Sequence, residues 1–294
     1  VTVSSSEPRA PKGLPLRLIA LVAVAMLAFA GNSLLNRVAL AEGAAGPGAF
    51  AALRLGSGAA MLWLLVRLRR GAPLPPLRRA IGPAAALALY MLGFSFAYLW
   101  LDAGLGALLL FGGVQITMFA GALAAGEPVP ARRWAGTALA FAGLCALFWP
   151  GGGATPPLAG VGLMLAAAVG WGIYSLIGRR SADPLGATAA NFLLAAGVAL
   201  LPALLWPDGL TIPGAALALA SGMITSALGY ALWYAVLPQL PAAVAALAQL
   251  TVPVIAIVLG ALLLSEPVTP RLIAACLLVL GGVGFGVWSP KRRE

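Results

Sequence analysis

The sequence predicts an all-α integral membrane protein: ten transmembrane helices forming two inverted five-helix repeats, with both termini cytoplasmic. Three observations predict it. Apolar residues make up 62% of the 294 and charged residues 9%, with a mean hydropathy of +1.00; soluble domains carry about 25% charge. Ten apolar runs are each close to the roughly 20 residues a membrane helix needs. The chain also resembles itself at an offset of 139 residues.

The runs are 15–36, 47–67, 80–101, 104–125, 132–149, 158–179, 185–206, 213–236, 241–264 and 270–288, hereafter spans 1 to 10. Two short tails and nine short connections remain, which leaves no room for a soluble domain. The Ser/Pro-rich stretch 1–13 is expected to be disordered. Span 1 is too long for a cleaved signal and has no small-residue cleavage site after it.

Fifteen of the eighteen basic residues fall on one side of this layout: three before or at the start of span 1, five between spans 2 and 3, two at the start of span 5, two between spans 6 and 7 and three after span 10. The other side has only Arg37 and Arg271, and Arg54 lies inside span 2. The positive-inside rule places the first set in the cytoplasm. The net charge of +10 then reflects topology and contact with anionic lipid. Nucleic acid is not an expected partner, because the basic residues are scattered over short loops. Trp63, Trp100, Trp134, Trp149, Trp206 and Trp288 lie near span ends, as in an interfacial belt.

The repeat is carried by specific residues. Gly121-Ala-Leu-Ala-Ala-Gly-Glu127-Pro-Val129 matches Gly260-Ala-Leu-Leu-Leu-Ser-Glu266-Pro-Val268. The same offset pairs Arg132 with Arg271, Gly143 with Gly282 and Trp149 with Trp288. Earlier in each half, Phe29-Ala-Gly-Asn-Ser-Leu-Leu-Asn-Arg37 resembles Trp171-Gly-Ile-Tyr-Ser-Leu-Ile-Gly-Arg179. Five spans per repeat is an odd number, so the second copy enters the membrane from the opposite face, as in secondary transporters. The expected units are residues 1–150 and 151–294.

Two five-span repeats, each with a Glu-Pro-Val turn before its last span, resemble the drug/metabolite transporter superfamily in its EamA-type branch. The segment from Leu228-Gly-Tyr-Ala-Leu-Trp233 through Pro253 to Glu266 is similar to that family's second repeat, and Arg54 to an arginine of its second span. The resemblance covers essentially the whole chain. It implies a central cavity lined by spans 1, 3, 4, 6, 8 and 9, with spans 5 and 10 peripheral. Within the family, the aromatic content is most similar to the YddG-type exporters of aromatic and other neutral amino acids.

Candidate substrate contacts follow from polar and aromatic faces. Phe29, Asn32, Ser33 and Asn36 share one face of span 1, and Trp171, Tyr174, Ser175 and Gly178 repeat that spacing on span 6. Buried amides and hydroxyls are costly against lipid, so these stripes face protein or a cavity. Tyr90, Phe94 and Tyr98 share a face of span 3, and Ser226, Tyr230 and Trp233 one of span 8. Aromatic walls suit flat apolar side chains and organic cations. Ordinary packing accounts for any one of them equally well. Gln115 and Gln249 are deep amides that can bond a ligand or a neighbouring helix. Gly112, Gly113 and Pro253 are hinge candidates. Arg54 braces backbone carbonyls, the favoured reading, snorkels outward, or meets a substrate carboxylate. Gly282 and Gly286 form a small-residue pattern compatible with a dimer seam, so a monomer or weak homodimer is expected.

No histidine is present, and Cys145 and Cys276 lie in apolar runs. No metal, cofactor or disulfide is therefore expected. The expected function is export of small amphipathic metabolites, foremost neutral amino acids, across the cytoplasmic (inner) membrane. A multidrug cation exporter of the same fold is the alternative. An intramembrane lipid-modifying enzyme fits poorly, because all eight acids are assigned to loops or tails. For the same reason little obligatory proton coupling is expected. Glu127 and Glu266 are expected to cap the helices that follow them.

Overall fold

The computed structural model describes residues 15–69, 74–148, 155–178, 181–240 and 242–287. These residues are almost wholly helical, and none of them is in a strand. The helices are α1 (Leu16–Ala41), α2 (Pro47–Leu68), α3 (Leu77–Ala97), α4 (Ala103–Ala124), α5 (Ala131–Ala146), α6 (Leu158–Gly178), α7 (Pro184–Leu205), α8 (Ile212–Ala220), α9 (Gly229–Val236), α10 (Ala242–Gln249), α11 (Thr251–Leu264) and α12 (Pro270–Val287). Spans 8 and 9 are compound. A π-helical segment, Ser221–Leu228, joins α8 to α9, and a break at Leu250 separates α10 from α11.

Among the described residues, nine helical stretches are long and apolar enough to cross a membrane. The tenth pass, α5, is only 16 residues long and stops short of its expected end. Helices suit this composition because each satisfies its own backbone hydrogen bonds where lipid offers none. Prolines open α2, α7 and α12, where a missing N–H costs nothing. The sequence-based ends agree to within a few residues, apart from α1, which continues to Ala41 and so takes in Arg37. Trp149, Trp288, Arg179, Arg180, stretch 1–13 and the 150/151 boundary lie outside the described residues.

Short connections make successive spans alternate in direction, which gives the bundle two chemically distinct ends. Arg17, Arg67, Arg69, Arg78, Arg79, Arg132 and Arg133 mark one, the arginine-rich end. Glu42, Asp102, Asp208 and Glu266 mark the other, the acidic end. The main packing pairs are α3 on α6, α2 on α7, α4 on α6 and α5 on α12. The last pair depends on glycine. A Cβ on Gly282 would lie 2.6 Å from the Gly136 carbonyl oxygen and 2.7 Å from the Ala140 nitrogen, and one on Gly286 would meet Gly136 at 3.7 Å. Gly282 and Gly286 therefore face α5 of the same chain, which corrects their reading as a dimer seam.

Both Glu-Pro-Val turns leave their helix through a left-handed residue, Gly126 at φ 70° and Ser265 at φ 54°. The expectation that each glutamate caps the next helix fails for Glu266. Its carboxylate accepts the Ala103 N–H at the start of α4, at 2.8 and 2.9 Å, whereas the Leu272 N–H in the first turn of α12 is accepted by the Thr269 hydroxyl. Glu127 is exposed.

Candidate functional site

A cavity of about 710 Å³ enters from the arginine-rich end. Its mouth is formed by Pro130 and Arg133 of the α5 start, Ser181 and Pro184 before and at the start of α7, Pro238 after α9, and Gly286 of α12. Its depth is formed by Gln115, Trp171, Ser175, Tyr230, Trp233 and Gln249, all named from sequence. Thr137, Ala140, Gly282 and Val283 also line it, so α5 and α12 contribute wall and are not merely peripheral.

The cavity stops at Trp171 and Tyr230, whose rings are 5.2 Å apart. Behind them lies a void of only about 10 Å³, lined by Phe29, Asn32, Ser33, Tyr90, Phe94, Leu110, Phe111 and the same Trp171 and Tyr230. That is space for about one water. Spans 1 and 3 therefore line the void and not the large cavity, unlike the expected common lining. The aromatic residues form one connected cluster: Trp171 meets Tyr90 at 5.0 Å and stacks on Tyr174 at 5.5 Å, and Phe29 meets Tyr230 at 5.6 Å and Trp233 at 6.1 Å. Phe94 meets Tyr90 at 5.4 Å and Tyr98 at 4.8 Å.

Three of the candidates lie off both linings. Asn36 accepts the Ser95 hydroxyl and donates to the Asn32 carbonyl. Tyr98 is buried with its hydroxyl near the Ala103 carbonyl. Tyr174 shares weak hydrogen bonds with Thr188 and Asn191. Their polar atoms have protein partners.

Asn32 sits at a junction. Its side-chain carbonyl accepts the hydroxyls of Ser221 at 2.9 Å, Thr225 at 2.6 Å and Ser226 at 3.1 Å, and its amide donates to the Thr225 carbonyl. All three hydroxyls belong to the π-helical segment. Thr225 also bonds back to the Ser221 carbonyl, a contact that loosens regular helix. Gly31 lets α1 approach this segment, since a Cβ there would sit 3.1 Å from Thr225. The sequence reading named Ser226 of this segment but not Ser221 or Thr225. π segments concentrate at functional sites.

The hinge candidates divide. Pro253 has no N–H for the Gln249 carbonyl four residues earlier, and the helix breaks there at Leu250. In contrast, α4 runs unbroken through Gly112 and Gly113. A Cβ on Gly113 would lie 2.7 Å from that of Ala168 of α6, and one on Gly112 would lie 3.0 Å from Leu144 of α5 and 3.2 Å from Val279 of α12, so these glycines are packing contacts of α4.

Arg54 is fully buried. Its Nε donates to the Ser226 hydroxyl at 3.1 Å, and its guanidinium lies over the rings of Phe94 at 5.1 Å and Tyr90 at 5.9 Å. Both Nη atoms lack a hydrogen-bond partner. The expected bracing of backbone carbonyls is therefore not what Arg54 does.

The acidic end is closed. Arg37 reaches Asp102 at 3.2 Å, Glu266 at 3.4 Å and the Tyr98 carbonyl at 3.2 Å, which links α1, α3, α4 and the α11–α12 turn. Burial pushes the Glu266 carboxyl above the usual range, against the Ala103 N–H, which pulls it down. Nearby, Asp208 accepts the N–H groups of Gly48 and Ala49 at 2.6 and 3.1 Å and so caps α2 from the α7–α8 connection. At the arginine-rich end, Arg69 holds the Asp183 carboxyl below its usual range. Asp183 also caps α7 through the Gly186 N–H.

The model of the EamA-like transporter family matches residues 158–287. An uncharacterized protein of Pseudomonas aeruginosa is 50% identical over 277 residues, covering 94% of this chain and 96% of that one. A probable amino-acid metabolite efflux pump of Salmonella typhimurium is 26% identical, covering 76% and 80%. A solved crystal structure, 22% identical and covering 90% of this chain and 97% of that one, superposes with a TM-score of 0.66, a likeness of fold. The second half of the chain, residues 158–287, is an EamA-like transporter family domain.

Proposed function

We propose that the protein exports neutral amino acids, aromatic ones foremost, by alternating access between two inverted five-span repeats, 1–150 and 151–294, in the cytoplasmic membrane. The arginine-rich end then faces the cytoplasm, by the positive-inside rule. The observation that carries this reading is a cavity open to that end only. It runs down to Trp171, Tyr230, Gln115 and Gln249, while Arg37, Asp102 and Glu266 close the far end. Aromatic faces favour flat side chains, and the amides offer both donors and acceptors for an amino acid. The Salmonella relative's name and the resemblance to YddG-type exporters support the same cargo. Arg133 is the one charged residue among the described lining residues, which disfavours the organic-cation alternative.

The test is transport of labelled Phe, Trp and Thr by purified protein in liposomes. Rates above those of empty vesicles are expected, with competition among the three. Rates no higher across a broad amino-acid panel would refute the cargo. Protection of growing cells against lipophilic cations would favour the alternative.

A further inference from the structure

A buried guanidinium with unmet donors needs an acceptor. Arg54 has five N–H groups in a planar fork and keeps its charge in proteins. Among the described residues only Nε–H is satisfied, by Ser226, and Nη1 and Nη2 find no acceptor although the side chain is fully buried. Aromatic faces at Phe94 and Tyr90 attract the cation but do not accept its hydrogen bonds as a carboxylate would. Buried charges are normally paired.

The surroundings say where an anion would come from. Tyr90 and Phe94, over which the guanidinium lies, also line the small void, and Trp171 and Tyr230 line both that void and the large cavity. Only Trp171 and Tyr230 therefore separate the cavity from the void, and the Tyr90 and Phe94 rings on the void's wall carry the Arg54 guanidinium. At about 10 Å³ the void admits no carboxylate while the wall is shut. Asn32, whose carbonyl is committed to three hydroxyls, and Ser226 hold the Arg54 side of this pocket rigid.

We propose that Arg54 is the anchor for the carboxylate of the transported molecule, engaged in an occluded state reached when Trp171 and Tyr230 part. The ligand class is an organic carboxylate, bound bidentately by the two Nη groups, with its side chain left against Trp171 and Tyr230. This rests on the proposed amino-acid cargo for its physiological identity, but the anion site itself does not depend on that cargo.

The experiment has two readouts. In liposomes, labelled phenylalanine is competed by phenylalanine and by phenylalaninamide, for wild type, Arg54→Lys and Arg54→Gln. In detergent, the melting shift given by 3-phenylpropionate is compared with that of its amide. Wild type is expected to prefer the carboxylate at least about tenfold, the scale of a charged hydrogen bond. Arg54→Gln should level the preference to within about twofold, and Arg54→Lys should retain part of it. An unchanged preference in Arg54→Gln, with amino-acid transport intact in wild type, overturns the proposal and leaves the cargo reading standing. No amino-acid transport but an Arg54-dependent stabilisation by 3-phenylpropionate refutes the cargo and supports the anion site. If Arg54→Gln does not fold, wild type decides: equal shifts from carboxylate and amide overturn the proposal, and a carboxylate-only shift supports it.

Discussion

Removing the Glu266 side chain should open the acidic end. In the closed form the carboxylate is 10% exposed, bonds the Ala103 N–H twice and lies 3.4 Å from Arg37. Glu266→Ala leaves that buried N–H without its acceptor and takes one carboxylate from Arg37. An unsatisfied buried donor costs about 1–3 kcal/mol, and the partly exposed ion pair adds under about 1 kcal/mol. The closed form should therefore lose roughly 5- to 800-fold in population relative to an open one, for a total of about 1–4 kcal/mol. Glu266→Gln keeps an acceptor for Ala103 and should remain closed. A carboxyl raised by burial binds its proton more tightly in the closed form than in water, so closure is strongest below the ordinary glutamate value and weakens as pH rises through the raised one. The assay is labelling of Ala107→Cys, a buried α4 position, with an impermeant thiol reagent in a Cys145→Ser, Cys276→Ser background. Labelling should rise in Glu266→Ala, fall on acidification in wild type, and lose its pH dependence in Glu266→Gln. Equal labelling of Glu266→Ala and wild type at every pH would refute this account.

Three further outcomes are expected. Asn32→Ala strands hydroxyls of the π segment and should destabilise the protein by about 1–3 kcal/mol, read as a lowered melting midpoint; an unchanged midpoint would remove Asn32 as the junction. Gly282→Leu drives a side chain into the Gly136 and Ala140 backbone and should cost about 1–3 kcal/mol by overpacking; a lost dimer at an unchanged midpoint would restore the intermolecular seam. A pH gradient imposed across liposomes at equal substrate concentration should not drive net accumulation, since the acids of the described residues lie between helices; concentrative uptake would sink this and direct attention to Glu266.

The spans were legible because lipid imposes a length and an apolar composition on every helix, whatever its neighbours. The faces of α1 and α3 were legible for the same reason: Asn32, Ser33, Asn36, Tyr90, Phe94 and Tyr98 are all buried. Their division between two spaces was not legible, because it depends on whether Trp171 and Tyr230 touch in one conformation. Ser221 and Thr225 were missed because a segment bonded i→i+5 does not obey the 3.6-residue period used to read faces. The break at Leu250 was half visible, since Pro253 predicts a freed carbonyl, whereas Gly112 and Gly113, read the same way, proved to be contact surfaces. Glycine permits bending without requiring it, and proline removes a hydrogen bond outright.

The two Glu-Pro-Val turns have matching backbones but opposite surroundings. Ser265 and Gly126 both adopt left-handed φ, yet Glu266 is held against the start of α4 while Glu127 is exposed beside the open cavity. A repeat that is merely duplicated would give both glutamates the same partner. Under the proposed inverted architecture the difference has a cause: each turn closes its own end, and only one end is closed at a time. The offset of 139 places Ala242, first residue of α10, where Ala103 stands at the start of α4, and the matched stripes place Arg179 where Arg37 stands. Opening the acidic end would free Glu266, and closing the arginine-rich end would give Glu127 the N–H of Ala242. Helix N-termini attract carboxylates at either end alike, so the exchange would replace one capped helix by another and would keep the two states close in energy.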